Sequence, residues 1–187
     1  MKTKLILLGG VPGTGKTTVA YELALKLKID KVVSVDMVKA MTRTYKELFS
    51  PYVFTTTHEA YKLEGVSVIE GFLKHSEAIN RVVLDIVRNI NDKVILIEGA
   101  TINREFLNEI DKDKYDIVSI HLDLSKEELL KRYEMKGKIR AGKWSENIEV
   151  INEIREYLKK DSFSIVNDNL EITVERIVEY VKENLCL

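Results

Sequence analysis

The chain has 187 residues, with 29 Lys and Arg against 30 Asp and Glu and a formal net charge of −1. That length suggests one domain over residues 1–187, and the near-neutral balance argues against a protein built to hold nucleic acid or an anionic membrane surface. A hydrophobic fraction of 45% supports a real core, and two prolines with nine glycines exclude collagen-like or Pro/Gly-rich disordered chains.

Leu5 to Leu8 is a continuous apolar run ended by Gly9-Gly10, the pattern of a strand buried on both faces. At four residues it is shorter than the ~7–15-residue core of a signal peptide. Thr17 to Lys28 carries Val19, Ala20, Leu23, Ala24 and Leu27 at helical spacing. Val32 to Val35 is a second short run, ending at Asp36. Met41 to Lys62, rich in Thr, Tyr and Phe with one Pro51, separates it from a helix whose stripe is Ile79, Val82, Val83, Ile86, Val87 and Ile90. Val94 to Ile97 predicts a third strand ending at Glu98, and Ile117 to Leu122 a fourth ending at Asp123. Lys131 to Trp144 is basic and broken by Gly137 and Gly142, so it reads as a solvated loop or, beside a nucleotide site, a lid. Ile148, Ile151, Ile154, Tyr157 and Leu158 predict a helix, Phe163 to Val166 a fifth strand before Asn167, and Ile172 to Leu185 a closing helix. Strands alternating with helices predict an α/β protein with a mostly parallel sheet covered on both faces. Ligands in such sheets sit at the carboxyl ends of the strands.

No apolar run approaches the ~18 residues of a membrane span. The single cysteine, Cys186, can close no internal disulfide and has no Cys or His partner at ligand spacing. These features together predict a cytoplasmic protein without a Cys-based zinc site.

Gly10-Val11-Pro12-Gly13-Thr14-Gly15-Lys16-Thr17 matches the phosphate-loop pattern G-x-x-x-x-G-K-[ST]. The glycines let successive N–H groups point at phosphate oxygens, and the following helix adds the positive end of its dipole. Lys16 is expected to reach the β- and γ-phosphates, Thr17 to bind Mg²⁺, and Thr18 to complete the nucleotide contacts. A G-x-G-x-x-G reading fails because Lys16, Thr17 and Thr18 follow Gly15. The base-reading Asn-Lys-x-Asp of GTPases is missing, and the third strand ends in Glu98-Gly99 rather than Asp-Glu, which favours a small kinase over a GTPase or motor-type ATPase.

Leu7-Leu8-Gly9-Gly10, Gly15 to Ala20, Val33-Ser34-Val35-Asp36, Gly71-Phe72, Ile95 to Gly99, Asn147-Ile148, Ile154-Arg155, Tyr157-Leu158 and Ile165 to Asn169 together resemble the archaeal 2-phosphoglycerate kinases. The match covers most of the chain in order. The resemblance implies a three-layer P-loop NTPase fold of nucleotide-kinase type, a five-stranded parallel sheet of order 2-3-1-4-5, and ATP- and Mg²⁺-dependent transfer of a phosphoryl group to 2-phosphoglycerate. It also implies that the loop at Asn167 contacts adenine. On the acceptor side the family's Ser-Thr-Asp has Val35 in place of Thr, its Ile-Arg-Glu becomes Val38-Lys39-Ala40, and its His and Pro-Gly after strand three become Thr101 and Asn103-Arg104. A nucleoside monophosphate kinase is the nearest alternative, and a nucleotide-binding regulator or weak ATPase is the alternative of another class.

The remaining candidates follow from position. Asp36 is expected to orient the acceptor hydroxyl, or else to cap the next helix. Lys39 and Arg43, at i+3 and i+7 from it, can hold an anionic acceptor or form a surface face. Glu98 can serve Mg²⁺ with Thr17 by holding a metal-bound water, can hold the attacking hydroxyl, or can be a structural carboxylate. Arg132 and Arg140, in the lid candidate 131–144, can neutralise the transferring group. Residues 41–62 are the acceptor-side insert candidate. His58 and His75 read as exposed or lid residues, His121 as a strand residue, and Trp144 as a packing residue at a lid hinge.

Overall fold

A computed structural model describes residues 2–135, 145–160 and 163–186. Strands β1 (Thr3–Gly9), β2 (Lys31–Ser34), β3 (Val94–Glu98), β4 (Tyr115–Asp123) and β5 (Phe163–Val166) form one parallel sheet of order β2-β3-β1-β4-β5. Helices α1 (Lys16–Leu27), α2 (Val35–Thr42), α3 (Val68–Arg88), α4 (Arg104–Glu109), α5 (Lys126–Met135), α6 (Ile148–Lys159) and α7 (Leu170–Leu185) surround it.

Central β1 shows why the sheet needs cover on both sides. Leu5 and Leu7 point to one face and Ile6 and Leu8 to the other, because strand side chains alternate. All four are fully buried. Leu5 and Leu7 pack with Ile79, Val83 and Val87 of α3 and Phe106 of α4. Ile6 and Leu8 pack with Val19 and Leu23 of α1 and Ile177 and Val181 of α7. A third cluster, at the edge where the phosphate loop lies, joins Val11 to Leu129 and Tyr133 of α5, Ile151 and Ile154 of α6, and Phe72 of α3.

The register brings the functional ends level. Glu98 pairs with Leu8 on one side and with Ser34 on the other, and Gly9 pairs with His121. Strand two ends one residue earlier than the apolar run suggests. Val35 already belongs to α2, with Ser34 at the N-cap position in extended conformation but no side-chain capping bond, so Asp36 sits in the first turn and is not the cap. A negative charge there is favoured by the helix dipole.

Between α2 and α3 the chain forms a strap with 3-10 turns at Arg43–Leu48, Pro51–Phe54 and Ala60–Lys62. It is fastened rather than solvated. Tyr52 and Val53 are buried, and Lys74 of α3 pairs with Glu64 at 2.6 Å. Gly71 lets the backbone of Tyr61 approach α3, since a Cβ there would lie 2.3 Å from Tyr61 Cα. The opening residues of the lid candidate, through Met135, are the last turns of α5 rather than loop. Acidic residues start that helix and Arg132 ends it, the arrangement its dipole favours. Lys136, Lys138, Arg140, Lys143 and Trp144 lie outside the described residues.

Candidate active site

The phosphate loop turns through positive φ at Gly10, Gly13 and Gly15. Val11 carbonyl accepts from Thr14 Oγ1 at 2.9 Å and from Lys16 Nζ at 3.1 Å, so the lysine folds back over the loop. Gly13 is required twice over: its φ is +90°, and a Cβ would lie 2.4 Å from the Tyr133 ring. That ring is fully buried, and its hydroxyl donates to Pro12 O at 2.6 Å. Burial pushes the Tyr133 phenol well above its ordinary range, so it stays a donor. No acidic residue occupies the first turn of α1, leaving the helix N-terminus positive.

The two residues expected to share a metal meet. Thr17 Oγ1 is 3.3 Å from Glu98 Oε2, and Ser34 Oγ donates to Glu98 Oε1 at 2.6 Å. Glu98 is 2% exposed. Adjacent strands β2 and β3 place Ser34 opposite Glu98, and the next turn brings Asp36 to the same end of the sheet.

A cavity of about 340 Å³ opens beside this cluster. Pro12, Gly13, Gly15, Lys16, Thr17 and Thr18 form one wall, while Asp36, Lys39, Ala100 and the strap residues Thr56 to His58 form the rest. Lys39 Nζ donates to Thr55 O and is half-buried. Burial, helped by the Arg43 charge and opposed by Asp36 and Glu59, lowers its pKa to about 8. Arg43 departs from expectation: α2 ends at Thr42, and Arg43 is exposed and off the cavity wall. Its backbone is still right-handed helical and its charge acts on Lys39.

Arg132 and Asn167 meet beside the phosphate loop. Asn167 Nδ2 donates to Thr14 O at 2.7 Å, and Arg132 donates to Asn167 O at 2.6 Å. Asn167 thus braces the phosphate loop and Arg132 reaches it through Asn167, both beside Gly15, and neither lines the cavity of Asp36 and Lys39. Arg140 lies outside the described residues.

All three histidines are buried, against the expectation of exposed positions for His58 and His75. His75 Nδ1 bonds Tyr52 O at 2.7 Å, fastening the strap. Burial, with the Lys39 charge, drops its pKa to about 3, so it is neutral. His121 is pushed to about 4 by burial, and the charges of Lys16, Arg155 and Lys159 add to the effect against the opposing Asp123.

Sequence reasoning passed over Tyr133, Ser34, Thr56, Thr57 and the ion cluster at the end of β4. There Asp123 receives Arg155 Nε at 2.5 Å and Nη2 at 3.0 Å, with Lys159 Nζ at 3.1 Å. Burial raises the Asp123 carboxyl, but the two cations outweigh it and hold the group below its ordinary range. Arg155 and Lys159 at i and i+4 on α6 were the available signal.

A family model described as AAA domain matches residues 6–159. The chain belongs to that family. Its expected similarity to archaeal 2-phosphoglycerate kinases holds across nearly its full length. It is 28% identical over 202 residues to the 2-phosphoglycerate kinase of Methanocaldococcus jannaschii, covering 97% of this chain and 64% of that protein. It is 30% identical over 198 residues to that of Pyrococcus furiosus, covering 96% and 64%. The chain thus spans 64% of the length of these relatives. The shikimate kinase of Aquifex aeolicus shares the fold, with a TM-score of 0.57, 20% identity, and 97% and 98% of the two chains covered. No described helix is long and apolar enough to cross a membrane.

Proposed function

We propose that this chain is a phosphotransferase that moves the γ-phosphoryl group of ATP, with Mg²⁺, to a hydroxyl of a small acceptor, 2-phosphoglycerate first. One observation carries the reading: Lys16 and Thr17 line one cavity with Asp36 and Lys39, and Glu98 meets Thr17 behind its wall. The names of the curated relatives put 2-phosphoglycerate ahead of other acceptors.

Each group has a task. The N–H groups of residues 10 to 18, with the α1 N-terminus, bind the phosphates. Lys16 leaves Val11 O to follow the negative charge of the transferring group. The oxygen donors of Thr17 and Glu98 suit a hard cation and would hold Mg²⁺, which supplies charge neutralisation on the phosphate oxygens when bound. Asp36 accepts a hydrogen bond from the acceptor hydroxyl and aims it. In a loose phosphoryl-transfer transition state that positioning counts for more than full deprotonation. Lys39 attracts the acceptor's charge. Arg132 and Asn167 keep the loop in shape, and Tyr133 locks its Pro12–Gly13 corner.

The test is ADP formation from ATP and Mg²⁺ with 2-phosphoglycerate, other phosphorylated three-carbon acids, sugars, shikimate-like acids and nucleoside monophosphates. Turnover that appears only with 2-phosphoglycerate is the expected result. The same slow turnover with every acceptor would instead identify a weak ATPase.

A further inference from the structure

Helix α2 has three sides, and the site uses only one of them. Val35, Val38 and Thr42 are buried against the core, while Asp36 and Lys39 line the cavity. Met37 and Met41 belong to neither side. They lie at i and i+4, one above the other on the helix, and are 63% and 68% exposed. The 3-10 turn Arg43–Leu48 continues the row with Tyr45 and Leu48, 61% and 77% exposed. Four large apolar side chains thus stand in water along residues 37–48. Single exposed apolar residues need no explanation, but a continuous row of them marks an interaction surface.

The charges beside the row select the partner. Arg43 and Glu47 are both exposed, and neither makes an ion pair or a hydrogen bond among the described residues. They stand symmetrically about Tyr45, one on each side of it in the sequence and equally far away. Tyr45 itself departs from helical dihedrals, with φ −120° and ψ 52°, so the chain bends there. A twofold axis through this bend, with the two segments antiparallel, sets Arg43 of each copy against Glu47 of the other. The same axis lays Met41 of each copy against Leu48 of the other. An isologous contact has this reciprocal form, in which residue i meets j and j meets i. A net charge of −1 per chain gives two copies little reason to repel one another.

We infer that residues 37–48 are a self-association surface, on which a second copy of this chain docks antiparallel about a twofold axis at Tyr45. The copy covers the solvent side of the helix whose cavity side carries Asp36 and Lys39, and it leaves the cavity open. The row is short, so the contact falls below about 1,200 Å², among the smaller interfaces, and the dimer dissociates in the micromolar range. The inference stands independently of the kinase reading.

Sedimentation velocity on the full chain, from about 1 to 200 µM, tests it. The weight-average mass should climb towards twice that of the chain as concentration rises. Met41→Glu, and separately Leu48→Glu, should keep the protein monomeric throughout, because each carries an unpaired charge into the contact. These positions are exposed, so circular dichroism should stay that of wild type. Arg43→Glu and Glu47→Arg should each weaken the dimer by roughly 2- to 30-fold, the loss of two exposed ion pairs. The double reversal Arg43→Glu with Glu47→Arg should restore most of the affinity, since it rebuilds both pairs with the signs exchanged. Tyr45→Cys, in a Cys186→Ser background, should cross-link to its own copy under mild oxidation. Tyr21→Cys, on exposed α1 in the same background, should not.

A monomer at every concentration, a dimer that persists in Met41→Glu and Leu48→Glu, or a double reversal no tighter than the single ones would overturn the surface. Cross-linking through Tyr45→Cys no faster than through Tyr21→Cys would overturn the axis at Tyr45.

Discussion

Replacing Asp123 with alanine should destabilise the protein by about 3–5 kcal/mol, the range for removing one partner of a buried ion pair. Asp123 is 3% exposed at the end of β4, and the Arg155 side chain that grips it is 11% exposed. Without the carboxylate the guanidinium remains in a poorly hydrated position. Arg155 keeps Asn152 at 3.2 Å and Glu156 at 2.5 Å, and Lys159, about one-third exposed, can turn to water. The effect should therefore fall near about 3 kcal/mol, which for a chain of this size lowers Tm by roughly 6–12 °C. Urea unfolding at neutral pH measures it directly. The pH dependence has a defined sign. The folded carboxyl titrates below its unfolded counterpart, so its contribution is complete above the unfolded value of about 3.9 and disappears as pH falls through the folded one. The gap between wild type and Asp123→Ala should narrow over that interval. Asp123→Leu combined with Arg155→Met should restore most of the loss, since it removes both charges and leaves neither stranded. A single-mutant loss below about 1 kcal/mol, or a double mutant no better than the single, would refute the argument.

Further outcomes follow from the site. Lys16→Ala should abolish phosphoryl transfer while unfolding within about 2 kcal/mol of wild type, because the amine serves developing charge more than the core; turnover at the wild-type rate would remove the phosphate loop from the chemistry. Asp36→Asn should lower turnover by roughly 10²–10⁴-fold with nucleotide affinity unchanged, and since Ser34 occupies the cap position, the change should leave α2 intact by circular dichroism. Gly13→Ala should prevent tight binding of an ATP analogue, because the added Cβ cannot coexist with the Tyr133 ring; near-normal affinity would show that the loop can reshape. Wild-type stability should fall as pH drops from about 6.5, the unfolded histidine value, towards the depressed folded values of His75 and His121, near 3 and 4. His75→Gln should flatten part of that slope in unfolding titrations.

Much of this protein was legible in its sequence for a local reason. The phosphate loop is a continuous motif whose backbone conformation depends on its own glycines, and it begins where a buried strand ends. The apolar runs of β1, β3 and β4 are long enough, and the stripes of α3 and α6 regular enough, that each specifies its own element. Thr17 and Glu98 could be paired because parallel strands bring their carboxyl ends level. Other features depended on tertiary contacts. Nothing local to His58 or the residues around Pro51 announces burial; the strap is covered because Tyr52 and Val53 pack inward and His75 of α3 bonds Tyr52 O. Arg43 is exposed and off the cavity wall although its backbone is still helical, which only the packed strap decides. That Arg132 and Asn167 meet beside Gly15 was not readable either, because the hydrogen bond that joins them spans 35 residues. The lowered pKa of Lys39 likewise required its neighbours in space, since desolvation and the fields of distant charges belong to the packed molecule and not to any stretch of chain.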